Sequence, residues 1–171
     1  MSFRAAVRVF LNACPGPPMA IVGLRFAAFQ AVGGIRDLCP EDSSTGQSHP
    51  RNEPYLRSVI GIAERINCRP AYLSKAGARF GYSFSRALRW IRFLHGIALL
   101  EEGARMETVC DRLGFSDLAG WSRFTTRLVG RSAGQLPVLP LEHWVRKAID
   151  DVYFGLPATG APHPSNSKRV V

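Results

Sequence analysis

Apolar residues recur at helical spacing through the middle of the chain, and no stretch there alternates with the period of two that a half-buried strand needs. Met106, Val109, Cys110 and Leu113 fall at i, i+3, i+4 and i+7, one face of a short helix. Gly114 supplies the left-handed residue that ends this helix, Phe115 can plug the turn, and Ser116 is a suitable N-cap for the next one. That second helix runs from about Asp117 to Val129. It turns Trp121, Phe124, Thr125 and Leu128 inward and Arg123, Thr126 and Arg127 outward, and Gly130 closes it. A short helix, a glycine turn and a second helix with exposed polar and basic residues make a helix-turn-helix.

Upstream, Phe84 to Glu102 reads as one long helix, with Leu88, Ile91, Leu94 (or His95) and Ala98 on its stripe and Gly103 as its stop. Gly96 inside it costs about 1 kcal/mol relative to Ala, tolerable where a neighbouring helix comes close. Leu56 to Ile66, a break at Asn67-Cys68-Arg69, and Pro70 to Phe80 give another helix-turn-helix, with Pro70 in the first turn where its missing N–H does no harm. Past Pro137, Leu141, Trp144, Val145, Ala148, Ile149 and Val152 share a stripe. That stripe can pack back on the domain, or offer a surface to a homodimer partner or to a polymerase. The polar, turn-rich run from Cys39 to Pro50 is a linker, and Gly155 to Val171 reads as a disordered tail. The expected fold is all-α. An N-terminal extension and linker (1–53) precede two helix-turn-helix units on a long linking helix (54–137), and an amphipathic helix and flexible tail (138–171) follow.

Charge narrows the partners. The chain carries 22 Lys+Arg against 13 Asp+Glu, a net +9, and thirteen of the basic residues but only six of the acidic ones lie within 54–136. Most of the basic residues are arginines, whose planar fork suits phosphate and guanine, so a polyanion is the first partner to consider. The four cysteines, Cys14, Cys39, Cys68 and Cys110, are too sparse for a disulfide scaffold and form no CxxC or Cys/His cluster, which leaves no metal site expected. Cys110 reads as an inert buried thiol and Cys68, in a turn, as the more reactive one. Leu11-Asn12-Ala13-Cys14 resembles a lipoprotein cleavage box, but Arg8 and Asn12 interrupt the apolar run before it. The apolar stretch from Met19 to Ile35 contains Arg25 and Gln30 and is not a membrane span. A soluble cytoplasmic protein is expected. The acids are scattered, the four histidines lie far apart, and neither a glycine-rich phosphate loop nor a GxSxG occurs, so neither an enzyme nor a cofactor is expected.

The residues also carry a family resemblance. Ser83-Phe84-Ser85, Leu88, Ile91-Arg92, Ala98, Leu99-Leu100-Glu101-Glu102-Gly103, Val109, Leu113-Gly114-Phe115-Ser116-Asp117, Ser122-Arg123 and Gly130 resemble the AraC/XylS family of bacterial transcription regulators. The resemblance runs from about Tyr55 to Leu136. It implies a DNA-binding domain of two helix-turn-helix units joined by a long helix, with double-stranded DNA as partner and RNA polymerase as a further one. Gly77 and Thr125 stand where the family usually has Phe. The family's first helix has no clear counterpart before Tyr55, and the apolar run Met19–Leu38 is a candidate to replace it. The large ligand-sensing domain of many members does not fit into 53 residues, so the chain resembles the small stand-alone members.

From the helical faces and the resemblance together, the expected DNA contacts are Ala71, Ser74, Lys75 and Arg79 in the first unit, and Leu118, Ala119, Ser122, Arg123, Thr126 and Arg127 in the second. Arg123 is expected near bases. Leu118 and Ala119 could meet thymine methyls, Ser122 a base edge, and Thr126 and Arg127 the phosphates. Arg92 matches a characteristic family arginine, with either a phosphate or a structural bond between helix ends as its role. The rival reading is a helical adaptor whose degenerate first unit works through protein contacts.

Overall fold

The computed structural model describes residues 1–14, Leu24 and 58–155, and the regular structure among them is helical throughout. The α-helices are α1 (Phe3–Asn12), α2 (Val59–Arg65), α3 (Pro70–Arg79), α4 (Phe84–Glu101), α5 (Met106–Leu113), α6 (Leu118–Val129) and α7 (Leu141–Tyr153), with a 3-10 turn at Ala133–Gln135. The all-α class holds, and the helix ends fall within a residue or two of the expected ones except at α2, which begins at Val59 behind an N-cap at Ser58 rather than at Leu56. No helix among these residues is long and apolar enough to cross a membrane. The Cys39–Pro50 linker, the tail beyond Gly155 and, apart from the buried Leu24, the Met19–Leu38 run lie outside the described residues.

The linking helix α4 is the centre of the fold. The expected single stripe is too narrow for it: Phe84, Ala87, Leu88, Trp90, Ile91 and every residue from Phe93 to Ala98 are buried. The reason is that α1, α3, α5, α6 and α7 all pack against it. Gly96 permits the close approach of α5 and α6, because a Cβ there would lie 2.7 Å from the Trp121 ring and 2.9 Å from Leu113 Cδ1.

The N-terminal segment does not behave as a detached extension. Phe3, Ala6, Val7, Phe10 and Leu11 form the buried face of α1, which packs on α7 and α4. Arg8 and Asn12, which had seemed to break an apolar run, are simply the exposed side of this amphipathic helix. At its end the buried Cys14 meets Tyr82 and Tyr153, whose rings stand edge to face at 5.4 Å. Burial, and then the Cys14 thiol, push both phenols up.

Helix α7 packs back on the domain. Leu141, Trp144, Val145, Ala148 and Val152 are buried, so the stripe that had offered a homodimer surface over 141–152 is occupied within the chain. Among them lies a carboxylate the apolar pattern did not reveal. Asp151 is 5% exposed and accepts from Arg86 Nε at 2.6 Å, Arg86 Nη2 at 2.7 Å and the Trp90 indole N–H at 2.6 Å. A buried carboxylate is tolerable only with such partners, and three charge-assisted bonds fix the register of α7 on α4.

Two outcomes follow from these contacts. Asp151→Ala should destabilise the fold by about 3 kcal/mol in denaturant unfolding, since it leaves the indole N–H and a half-buried guanidinium without their acceptor. His95, buried on α4 and stacked on Phe3 at 4.9 Å, has its pKa lowered from 6.5 to about 4, first by burial and then by the Arg112 charge. The folded state thus holds His95 neutral while the unfolded chain takes up the proton first. Its contribution is intact above pH 6.5 and should be lost as pH falls to about 4, at a cost of roughly 3 kcal/mol. Unfolding free energies measured across that range should show the loss, and a His95→Leu variant should flatten it.

Candidate nucleic-acid interface

The second helix-turn-helix is built from its turn outward. α5 ends at Gly114 in the left-handed region (φ 67°), and the Phe115 N–H donates back to the Cys110 carbonyl at 2.8 Å. The Leu113 carbonyl, left over at the helix end, accepts from Arg92 Nε at 3.0 Å and also from Arg92 Nη2. The same guanidinium lies 3.7 Å above the Phe115 ring and 5.5 Å from that of Phe124. Of the two roles considered for Arg92, this geometry is the structural one: a half-buried arginine ties the linking helix to the turn of the second unit. Cys110 is buried beside that turn, and burial followed by the nearby carboxylates of Asp111, Glu107 and Asp117 pushes its thiol up, away from the reactive thiolate.

The cap of α6 is Asp117, not Ser116: its Oδ1 accepts from the Gly120 N–H. Asp and Ser serve equally well in this role, and the one-residue shift is too small for periodicity to resolve. Trp121 and Thr125 are fully buried, and the Thr125 hydroxyl bonds to the Ser122 carbonyl at 2.9 Å. A threonine therefore fills the family's Phe position while Phe124 supplies the aromatic bulk next door.

Of the expected contacts on α6, Leu118, Ala119, Arg123, Thr126 and Arg127 are exposed. Ala119, Arg123, Thr126 and Arg127 share the arc opposite the buried face, and Leu118, half exposed, stands at the helix start. Ser122 departs from this group. It is half-buried, its hydroxyl accepts from the Ala133 N–H at 3.4 Å, and so it ties α6 to the following 3-10 turn. The Thr126 hydroxyl also turns inward, donating to the Ser122 carbonyl at 2.8 Å, which leaves its methyl as the outward group. Arg123 Nη2 lies 4.0 Å from Asp117 Oδ1, both side chains being mostly exposed.

In the first unit, Asn67 takes a positive φ of 52° at the turn and Pro70 opens α3. Leu73, Ala76 and Gly77 face inward, and Ala71, Ser74, Lys75 and Arg79 all lie on the exposed side. Gly77 settles the register of α3. A Cβ there would come within 2.9 Å of the Tyr82 carbonyl oxygen and 3.2 Å of the Phe84 backbone nitrogen, so the crossing chain occupies the space that a family Phe would take. Two residues outside the expected set are also exposed, Tyr72 on α3 and Arg89 on α4. Both follow from the same helical spacing that places Lys75 and Arg92.

Residues 62–136, from within α2 to just past the 3-10 turn, match a family described as a helix-turn-helix domain. This segment is an AraC-type helix-turn-helix domain. No curated protein and no solved structure matches the chain. The AraC-type domain makes the chain a DNA-binding transcription regulator in general terms, and its family is a binding family rather than an enzymatic one. Helices α1 and α7 lie outside the AraC-type domain yet share its core.

If Arg92 joins the linking helix to the AraC-type turn, Arg92→Lys should fail to replace it. Lysine keeps the charge but lacks the planar fork that reaches the Leu113 carbonyl while covering Phe115. A loss of about 1–2 kcal/mol in thermal or chemical unfolding is expected, with the helical content of the folded state unchanged by circular dichroism.

Proposed function

We propose that the chain regulates transcription in the cytoplasm by binding one face of a DNA duplex at a preferred sequence, with α3 and α6 entering successive major-groove segments about 34 Å apart. The observation that carries this reading is the pairing of faces. In each unit the second helix buries its apolar side and exposes a small-polar-basic side, Ala71, Ser74, Lys75 and Arg79 on α3, and Ala119, Arg123, Thr126 and Arg127 on α6. Both units are held by the same helix, α4. The buried Gly77 supports an intact first unit and so weighs against an adaptor that has lost it.

Within this reading Arg123 and Leu118, toward the start of α6, approach base edges, while Arg127, one turn later, and Lys75 and Arg79 neutralise phosphates. Ser122 and Arg92 act by positioning, since their polar groups are engaged within the protein. A contact with RNA polymerase would fall to surfaces away from α3 and α6. Self-association through α7 would have to use its polar side, because its apolar stripe is buried.

Selection of bound sequences from a random duplex pool should yield a preferred site with two separated conserved blocks. Binding should weaken with salt at a log–log slope of roughly −4 to −7, as expected for about 5–8 neutralised phosphates. Arg123→Ala should cost about 1–3 kcal/mol on the preferred site and relax preference at one or two base pairs. Arg127→Ala should weaken all sequences alike and make the slope shallower by about one. A flat salt response would replace the DNA reading with the adaptor one.

A further inference from the structure

Between α4 and α6 the surface sinks into a cleft of about 310 Å³. Arg86 and Arg89 line it from α4, Arg123 and Arg127 from α6, and Phe124 helps to form its apolar wall. Arg86 is already neutralised by Asp151. Among the described residues neither Arg89 nor Arg127 has a carboxylate partner, and Arg123 has only Asp117, at 4.0 Å. Three guanidinium groups of this kind around one depression repel one another, and an entering anion relieves that repulsion.

Gly120 keeps the space open. It sits in the first turn of α6, where alanine would favour the helix, yet a Cβ there would lie 3.2 Å from Asp117 Oδ1 and 3.9 Å from Arg123 Nη2. Any longer side chain would extend among the groups that line the cleft. A depression of about 310 Å³ has room for a phosphate group.

We propose that this cleft is a phosphoryl-binding site, with Arg89 of the linking helix as a binding residue alongside Arg127, while Arg123, which also lines the cleft, is left to the base edges. Resting on the DNA-binding reading, the phosphoryl group is a backbone phosphate of the strand bordering the groove that α6 enters. A free phosphorylated anion is the other source of the same chemistry. Arg89 extends the second unit's grip from the recognition helix to the linking helix, and Arg86, held by Asp151, stiffens the back of the site without contributing a net charge.

The test compares full-length wild type with Arg89→Ala, Arg89→Lys and, as a control of equal charge change, Arg146→Ala on the exposed side of α7. Duplex binding is measured against salt, and inorganic pyrophosphate binding by calorimetry. Arg89→Ala is expected to weaken all duplexes by the same factor, about three- to tenfold, and to make the salt slope shallower by about one. Arg89→Lys should recover part of this, and Arg146→Ala should leave both quantities near wild type. If duplex binding ignores Arg89 but pyrophosphate binding is lost in Arg89→Ala, the site stands with a free anion as its ligand. If wild type binds no duplex, the regulator reading falls and the pyrophosphate comparison alone decides the cleft. Duplex and pyrophosphate binding that are both absent from wild type, or both indifferent to Arg89, overturn the proposal.

Discussion

Along α4, Arg86, Trp90, Arg92 and His95 bring polar atoms into a helix that is otherwise walled in by apolar side chains. Each must be answered by another helix, because an unanswered polar group in such a place costs more than a hydrogen bond returns. Asp151 of α7 answers Arg86 and Trp90, the carbonyl at the end of α5 answers Arg92, and Phe3 of α1 covers the His95 ring. Apolar packing alone would allow these helices to slide and rotate by small amounts. The polar contacts remove that freedom, and they do so from the first turn of the linking helix to just past its middle.

The exposed faces of α3 and α6 depend on this arrangement. Arg92 fixes the turn between α5 and α6 and thereby the angle at which α6 leaves the domain. Gly96 sets how deeply α6 sits, since the Trp121 ring rests where a side chain would be. On the other unit Gly77 lets the chain at Tyr82–Phe84 cross close behind α3. Gly77 within α3 and Gly96 of α4 behind α6 thus set how closely each outward-facing helix sits against the linking helix.

The local features were legible in the sequence, and the long-range ones were not. The bounds of α5, the Gly114 turn, the entry of Pro70 and the inward faces of α6 and α7 are written in spacings of three and four residues. The same spacing is present in Phe3, Ala6, Val7, Phe10 and Leu11, but Arg8 and Asn12 obscure it, reading as interruptions of a run when they are one side of a helix. Ser122 looked outward because helical geometry puts it only slightly off the exposed arc, and its bond to Ala133 depends on a turn that periodicity does not describe. Nothing local marks Asp151 as buried: its partners are 61 and 65 positions away. For the same reason the cleft beside Arg89, which joins residues of α4 and α6, could not be seen from either helix alone.

The pairing of α1 with α7 has a consequence for the order in which the molecule is made. The two helices that close the fold stand at opposite ends of the described chain, at Phe3–Asn12 and Leu141–Tyr153. The helix-turn-helix units are assembled from neighbours in sequence and can form as they leave the ribosome, whereas α1 emerges well before its main partner α7. Until then the part of its apolar face that meets α7, with Phe10 against Tyr153, is uncovered. During that interval the domain is half finished, and an amphipathic helix waits with one side bare for a partner far along the chain.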